Sequence, residues 1–337
     1  MTPKFFSRLT GGLAATAFMA GASLFSSCES IYEDLDPCPQ GLRLRFVYDY
    51  NMEFANAFPS QVECLTVLFY DSDGKYVTTR TNNTSDLADE NWRMTIDLEP
   101  DEYQIIAYGG MECEQSSFHF VADPASITYR DIEVALSQSA LTSPVGTSLH
   151  PLFYGNISVA VEETDTDYRE ATMKMMKDTN NLRVVLQQVD GEPLDNELFD
   201  FKVTDNNTLF AYDNDIIPRT PVEYLPWTRG NASPGELPDG GISQVCFAEM
   251  SFPRLVTGND PHLTVTRRDG GDTVIDIPLN NYLLLLKSEQ YFKMGAQEYL
   301  DRESRWNMIF FLDRNLMWIK TQIVINDWVV RLNNTDL

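Results

Sequence analysis

Histidine is scarce in this sequence, and the motifs of common hydrolases and nucleotide-binding enzymes are absent. Its 337 residues include three histidines, His119, His150 and His262, and none stands in the HExxH spacing with which a helix binds zinc. Neither a GxSxG nucleophile motif nor a phosphate-binding glycine loop occurs. We therefore expect no enzyme activity, with no catalytic residue, no metal and no cofactor.

Basic residues are also few. The chain has 25 Lys and Arg against 50 Asp and Glu, which gives a formal net charge of −25 at pH 7. Such a chain is repelled by phosphate backbones, so the composition argues against nucleic acid as a partner. Aromatic residues are plentiful at 12% of the sequence, and they provide enough apolar area for a folded core.

Long hydrophobic runs are missing after residue 27. The longest, residues 282–286, falls far short of the ~20 residues that a membrane-spanning helix needs. Residues 1–27 are different, because Lys4 and Arg8 precede an apolar stretch without acidic residues, the layout of a signal peptide. The stretch ends in Leu24-Phe25-Ser26-Ser27-Cys28, which resembles a bacterial lipoprotein processing box. We expect Cys28 to become an acylated N-terminus and the only membrane attachment; the alternative is an ordinary signal peptide with Cys28 there by chance.

Four further cysteines follow Cys28, and an exported protein can form disulfides. They allow three complete pairings, among which the sequence does not choose, and buried free thiols are an alternative. No two lie within four residues of each other, so no zinc pattern is present. The four are Cys38, Cys64, Cys113 and Cys246.

Alternating apolar residues predict β-strands throughout. Residues 41–50 alternate apolar side chains with Arg43 and Arg45, as expected for a strand with one buried face. Short strands without intervening helices indicate β-sandwiches, and we expect one over residues 28–155 and a second over 156–337. One helix is expected at residues 288–302, a strand at 282–287 and a terminal hairpin of 306–312 with 317–332. Asp71-Ser72-Asp73-Gly74 fits a hairpin turn better than a calcium loop, which would need a glutamate at Asn82.

Five short motifs follow one another along the chain. They are Cys38-Pro39-Gln40-Gly41-Leu42, Arg45-Phe46-Val47-Tyr48-Asp49-Tyr50-Asn51, Leu68-Phe69-Tyr70-Asp71 with Gly74, Ala107-Tyr108-Gly109-Gly110 and Glu298-Tyr299-Leu300-Asp301-Arg302-Glu303. Taken in this order, they resemble the FimB-type fimbrial anchor family of Bacteroidales. The resemblance covers residues 28–328 and implies two tandem transthyretin-like β-sandwiches, an all-β fold with a short helix in the second. It also implies an outer-membrane lipoprotein at the base of a type V fimbria, with a fimbrial shaft subunit as partner.

The resemblance also implies a mechanism. Shaft subunits of such fimbriae lose an N-terminal strand to an arginine-specific protease, and the next subunit's C-terminal strand fills the groove by β-addition. Here the first strand, with Leu42, Leu44, Phe46 and Tyr48 on its buried face, is expected to stay uncut, which closes the groove and stops growth. At the other end, residues 322–332 are expected to form one strand that is either donated to the preceding subunit or completes its own domain. Its candidate contacts are Ile323, Ile325, Trp328 and Val330.

A competing function is a lipid-anchored, surface-exposed glycan-binding protein of a nutrient-uptake system. Exposed aromatic rings could stack on sugars there, although any sandwich core also needs aromatics. A coplanar exposed platform would favour this function. Its candidates are Trp92, Trp227, Trp306 and Tyr224. A lipid-anchored hydrolase ranks third.

Overall fold

The computed structural model describes residues 40–111, 113–142, 146–162, 167–236, 242–285, 287, 291–325 and 328–333. The expected signal peptide, Cys28 and Cys38 lie outside these residues. None of the helices in the described ranges is long and apolar enough to cross a membrane.

Strands dominate the described chain, and the helices are short. The strands are β1 (Gly41–Val47), β2 (Leu65–Tyr70), β3 (Tyr76–Asn82), β4 (Met94–Asp97), β5 (Asp101–Gly109), β6 (Phe118–Phe120), β7 (Glu133–Leu136), β8 (Phe153–Val161), β9 (Arg169–Lys177), β10 (Thr179–Gln188), β11 (Phe199–Asp205), β12 (Leu209–Ala211), β13 (Val222–Tyr224), β14 (Thr228–Glu236), β15 (Ile242–Pro253), β16 (His262–Arg267), β17 (Thr273–Pro278), β18 (Arg305–Leu312), β19 (Trp318–Ile325) and β20 (Trp328–Asn333). The helices are α1 (Phe58–Gln61), α2 (Gln138–Thr142), α3 (Leu279–Leu284) and α4 (Ala296–Arg302).

The first sandwich is a seven-stranded sheet folded over on itself, in the order β3-β2-β5-β8-β9-β1-β4. Its two halves meet where β8 pairs with β9 through only three residue pairs at one end. Alternate residues of both halves enclose one apolar core, as period-2 strands require. A Cβ on Gly155 would lie 2.9 Å from the backbone carbonyl oxygen of Lys174 and 2.5 Å from the Met175 sulfur, so only glycine permits this close crossing.

The first sandwich extends beyond the boundary expected at residue 155. Gly155 lies inside β8, which pairs with β5 along its whole length. β9 then pairs with β1, so the first sandwich continues to Lys177. The passage into the second sandwich comes at Asp178, between β9 and β10. Periodicity does not reveal such a boundary, because it depends on which distant strands pair.

The second sandwich packs a six-stranded sheet, β14-β15-β10-β18-β19-β20, against a four-stranded sheet, β13-β11-β16-β17. Trp306, Met308 and Phe310 of β18 and Phe199 and Phe201 of β11 are among the buried side chains of one shared core. A small sheet, β12-β7-β6, joins the sandwiches, since β12 follows the second sandwich's β11 in sequence but pairs with β7. The expected all-β fold of tandem sandwiches is thus confirmed.

Two local predictions are corrected and one is confirmed. The predicted strand at 282–287 is wrong, because residues 282–284 belong to α3, which begins directly after Pro278, and residue 286 lies outside the described ranges. The predicted helix at 288–302 is shorter, beginning at Ala296, and residues 288–290 lie outside the described ranges. The Asp71–Gly74 turn is confirmed. The Gly74 amide donates a hydrogen bond to the Asp71 carbonyl oxygen at 2.9 Å, and the turn connects β2 to β3.

Candidate functional site

The first strand lies in a slot that is paired on both sides. β1 runs parallel to β9, with Leu44 opposite Ala171, and antiparallel to β4, with Leu44 opposite Met94. The Leu42 and Leu44 side chains are fully buried, and those of Phe46 and Tyr48 nearly so. Burying each such side chain contributes roughly 2 kcal/mol, so vacating the slot would cost much of the sandwich's stability.

The two arginines of β1 point away from this core. The Arg43 guanidinium lies 3.1 Å from a carboxylate oxygen of Glu170, and that of Arg45 lies 3.7 Å from Glu90. Their side chains are about one-third exposed, at 36% and 37%, but both residues are paired within the sheet, Arg43 with β9 and β4 and Arg45 with β9. A protease must bind its substrate as a free extended strand, so we continue to predict that Arg43 and Arg45 are not cleaved in the folded protein.

The terminal segment is a hairpin rather than the single strand that the sequence predicts for 322–332. Ile323 and Ile325 lie on β19, whereas Trp328 and Val330 lie on β20. The two strands are antiparallel, with Ile323 opposite Val330 and Ile325 opposite Trp328. The prediction of one continuous strand is therefore wrong. The structure nevertheless brings the four candidate residues together as two directly opposed pairs.

The hairpin extends the six-stranded sheet and leaves one edge open. β19 pairs with β18, with Ile323 opposite Met308, a core residue. Within the described ranges, β20 has β19 as its one neighbour and forms the sheet edge. An edge strand presents backbone donors and acceptors to which another strand can add.

A buried polar group marks the junction between the sandwiches. The Asp178 side chain is fully buried, and its Oδ1 accepts a hydrogen bond from the Asn214 amide at 2.9 Å. Its Oδ2 has no hydrogen-bond partner. Desolvation raises the pKa of the Asp178 carboxyl to about 7, and the positive charge of Arg254 opposes the shift. The sequence signal for this site, which was missed, is the charged pair Lys177-Asp178 between two apolar strands.

Of the four cysteines after Cys28, two form a disulfide in the structure. Cys64 is bonded to Cys113 across a separation of 49 residues. Cys246 is a buried free thiol, whose pKa burial raises to about 12, so it is unreactive. His150 lies close to the two bonded sulfurs, in the one group of possible metal ligands found within the described ranges. Sulfurs joined to each other are not thiolates, so this group does not bind a metal in its oxidised form.

Replacing Cys113 with serine is expected to lower the free energy of unfolding by about 2–4 kcal/mol, because an open 49-residue loop gives the unfolded chain more freedom. Denaturant unfolding of the variant and the wild type under oxidising conditions measures the difference. The difference should shrink to near zero when both proteins are reduced. Equal stability under oxidising conditions would show that the bond adds nothing.

The aromatic residues considered for glycan stacking do not form a platform. Trp306 and Tyr224 are buried in the second sandwich. Trp92 stacks on the ring of Phe46 at 6.0 Å, and Trp227 is half-buried. The structure therefore gives no support to the glycan-binding alternative from these residues.

A groove of about 720 Å³ lies on the outer face of the four-stranded sheet. Its charged side chains pair with one another, as Lys202 with Glu223 and Arg268 with Asp200 do. Phe201 contributes to the lining but is 2% exposed. The groove thus offers no open aromatic face to a sugar ring.

One family model matches nearly the whole chain. The family described as fimbrillin-A associated anchor proteins Mfa1 and Mfa2 matches residues 35–334. No curated protein matches the chain in a sequence search.

Several solved structures share the fold. A candidate adhesin from Bacteroides thetaiotaomicron is 50% identical, with 89% of this chain and 100% of that chain covered and a TM-score of 0.84. A candidate polysaccharide-binding protein from the same species is 27% identical, with 88% and 99% covered and a TM-score of 0.74. The fimbrial anchor protein Mfa2 from Porphyromonas gingivalis is 16% identical, with 87% and 99% covered and a TM-score of 0.63; this likeness shows the fold alone.

Proposed function

Because this chain belongs to the family of fimbrillin-A associated anchor proteins, we propose that it attaches a fimbria to the outer membrane and ends its growth. The family resemblance drawn from the sequence motifs is confirmed by the match over residues 35–334. Membership implies a location at cell-surface fimbriae and association with fimbrial subunits. The family is one of structural proteins rather than known enzymes.

The observation that carries the proposal is the occupied slot of β1. In a subunit that polymerises by strand addition, one sheet must lack a strand until a partner supplies it. Here the chain's own β1 fills the position between β9 and β4. Gly41 fits closely at its start, where a Cβ would lie 2.0 Å from the Ile96 carbonyl oxygen. A subunit that keeps this strand has no open groove that could accept a strand from another subunit, so the fimbria stops growing at this subunit.

The terminal hairpin supplies the proposed contact with the shaft. β20 is an open sheet edge whose backbone groups can pair with a strand of the adjoining subunit. This edge suits strand complementation without removal of β19 from its place beside β18. The alternative is that the whole hairpin is donated to the shaft subunit. The pairing of β19 with β18, in which Ile323 lies opposite Met308, argues against this alternative.

A lipid on Cys28 is the proposed membrane attachment. Each acyl CH₂ buried in a bilayer contributes about 0.8 kcal/mol, so two or more fatty acids such as palmitate hold a protein stably. The expected processing box supports this assignment.

Replacing Cys28 with alanine tests the attachment. We expect the variant to lose incorporation of a fatty-acid probe and to leave the outer-membrane fraction, and fimbriae should appear in the medium. Cys38→Ala is the matched control, because it removes a neighbouring cysteine and keeps the processing box. Membrane retention of the Cys28 variant would contradict lipid anchoring. Its release without shed fimbriae would contradict the anchoring of the fimbria.

A further inference from the structure

Arg302, at the end of α4, is stacked between two aromatic rings from the loop that follows β1. Its guanidinium carbon lies 4.1 Å from the centre of the Tyr50 ring and 4.7 Å from that of Phe54. The guanidinium also donates hydrogen bonds to the carbonyl oxygens of Asp49 and Asn51, both at 3.4 Å. A residue of the second sandwich thus holds a loop of the first.

The loop itself is tied back onto the end of β1. The Asn51 side-chain amide donates to the carbonyl oxygens of Tyr48 and Ala55, at 3.0 and 2.8 Å. The Tyr48 amide in turn donates to the side-chain oxygen of Asn56 at 3.0 Å. Movement of the loop and movement of the end of β1 are therefore coupled through short hydrogen bonds.

Phe54 has an unusual conformation for its position. Its φ of 53° lies in the left-handed region, which is unfavourable for a bulky residue. Its side chain is 56% exposed, so burial contributes little to holding it there. The ring contact with Arg302 is an interaction that compensates for this backbone strain.

On the other side, α4 is fixed firmly to the second sandwich. Asp301 accepts two hydrogen bonds from the Arg254 guanidinium, at 2.7 and 2.9 Å, and both side chains are largely buried. Tyr299 packs edge-on against Trp306 with ring centres 5.9 Å apart. Glu298, four residues before Arg302, accepts from its Nε at 2.8 Å and orients the guanidinium. These contacts fix the position of α4, and with it that of Arg302, relative to the second sandwich.

We propose that Arg302 is a positioning residue that latches the C-terminal end of β1, so that no outside strand can replace β1 in its slot. An invading strand must first free one end of β1, and the latch formed by Arg302, Tyr50 and Phe54 fixes the end that leads into the loop. This inference deepens the proposed function, on which its biological meaning rests. The segments 45–51 and 298–303, two of the motifs noted in the sequence, meet at this latch. Arg302 and Asn51, which are 251 positions apart, are in direct contact there.

Arg302→Ala in the full-length mature lipoprotein, held in detergent, tests the latch. We expect the amides of β1 to exchange with deuterium about tenfold to a hundredfold faster, because the two cation–π contacts that hold the loop after β1 are lost. The amides of β10 should keep their wild-type rates. A fluorescent peptide with the sequence of residues 40–50 should enter the variant and not the wild type. Arg302→Lys, which keeps the charge without the planar stacking, should lie between them.

Arg229→Ala is the matched control. Arg229 is a part-buried arginine of the second sandwich, paired with Glu197 at 3.0 Å, and its loss should leave β1 unchanged. Equal exchange of β1 in the Arg302 variant and the wild type would overturn the latch. So would faster exchange of β1 and β10 together, which would mean general destabilisation. The intact mass of the mature wild-type chain tests β1 retention separately, so a failure of the proposed function can be told from a failure of the latch.

Discussion

Asparagine in place of Asp178 is expected to raise the free energy of unfolding by about 4 kcal/mol at pH 8 and to change it little near pH 4. Burial raises the pKa of the Asp178 carboxyl from 3.8 to about 7 in the folded protein. Between these two values the folded state binds a proton that the unfolded state has lost. Raising the pH through this window therefore destabilises the wild type, whereas neutral asparagine does not respond.

Desolvation sets this sign, because it raises the pKa of the Asp178 carboxyl more than its neighbours lower it. Its carboxyl faces the Asn214 amide, which donates to it, while the charge of Arg254 lowers its pKa and that of Asp301 raises it. The buried hydroxyl of Tyr108, which has no partner, belongs to the same region. Arg254 is already bound by two hydrogen bonds to Asp301, so it does not neutralise Asp178 fully.

Urea unfolding at a series of pH values measures the effect. Asp73→Asn, at a well-exposed turn position, is the control and should follow the wild-type pH profile. If Asp178→Asn is instead less stable by the same amount at every pH, the carboxylate is ionised and paired with Arg254, and the expected pH dependence is wrong.

The sequence predicts well those parts of the fold that depend on local alternation. The buried face of β1 follows from the period of Leu42, Leu44 and Phe46, and the Asp71–Gly74 turn follows from its residue types. The hairpin of β19 and β20 was missed, although the alternation changes phase between Ile325 and Trp328, which lie three positions apart with Asn326-Asp327 between them. One continuous strand would place the pairs on opposite faces of the sheet, so this change of phase was a signal for two strands.

The parts that could not be predicted depend on contacts between distant segments. The parallel pairing of β1 with β9 joins residues about 127 positions apart, as between Arg43 and Glu170. Arg302 and Tyr50 carry no local pattern that links them, and Asn214 reaches Asp178 only after the second sandwich has formed. Short sequence motifs indicated that these segments matter, but not that they meet.

Deleting residues 327–337, which removes β20, is expected to leave a folded, membrane-bound protein that sheds its fimbriae. β20 pairs with β19, while β18 keeps both of its neighbours, β10 and β19, in the shortened chain. Trp306 and Phe310, two large buried residues of the six-stranded sheet, lie on β18 and are untouched. The loss of one edge strand should therefore lower stability without abolishing the fold.

The expected loss of attachment has a separate cause, since β20 carries the open edge proposed to pair with the shaft. Thermal melting of the shortened protein and a count of fimbriae in the medium give the two measurements. Removing only residues 334–337, beyond the end of β20, is the control and should alter neither. A shortened protein without a cooperative melt would show that the hairpin is needed to complete its own sheet, which contradicts the expected folding. A folded protein that still holds its fimbriae would contradict pairing through β20, and the contact would then lie elsewhere or on β19, which the deletion makes the edge strand of the sheet.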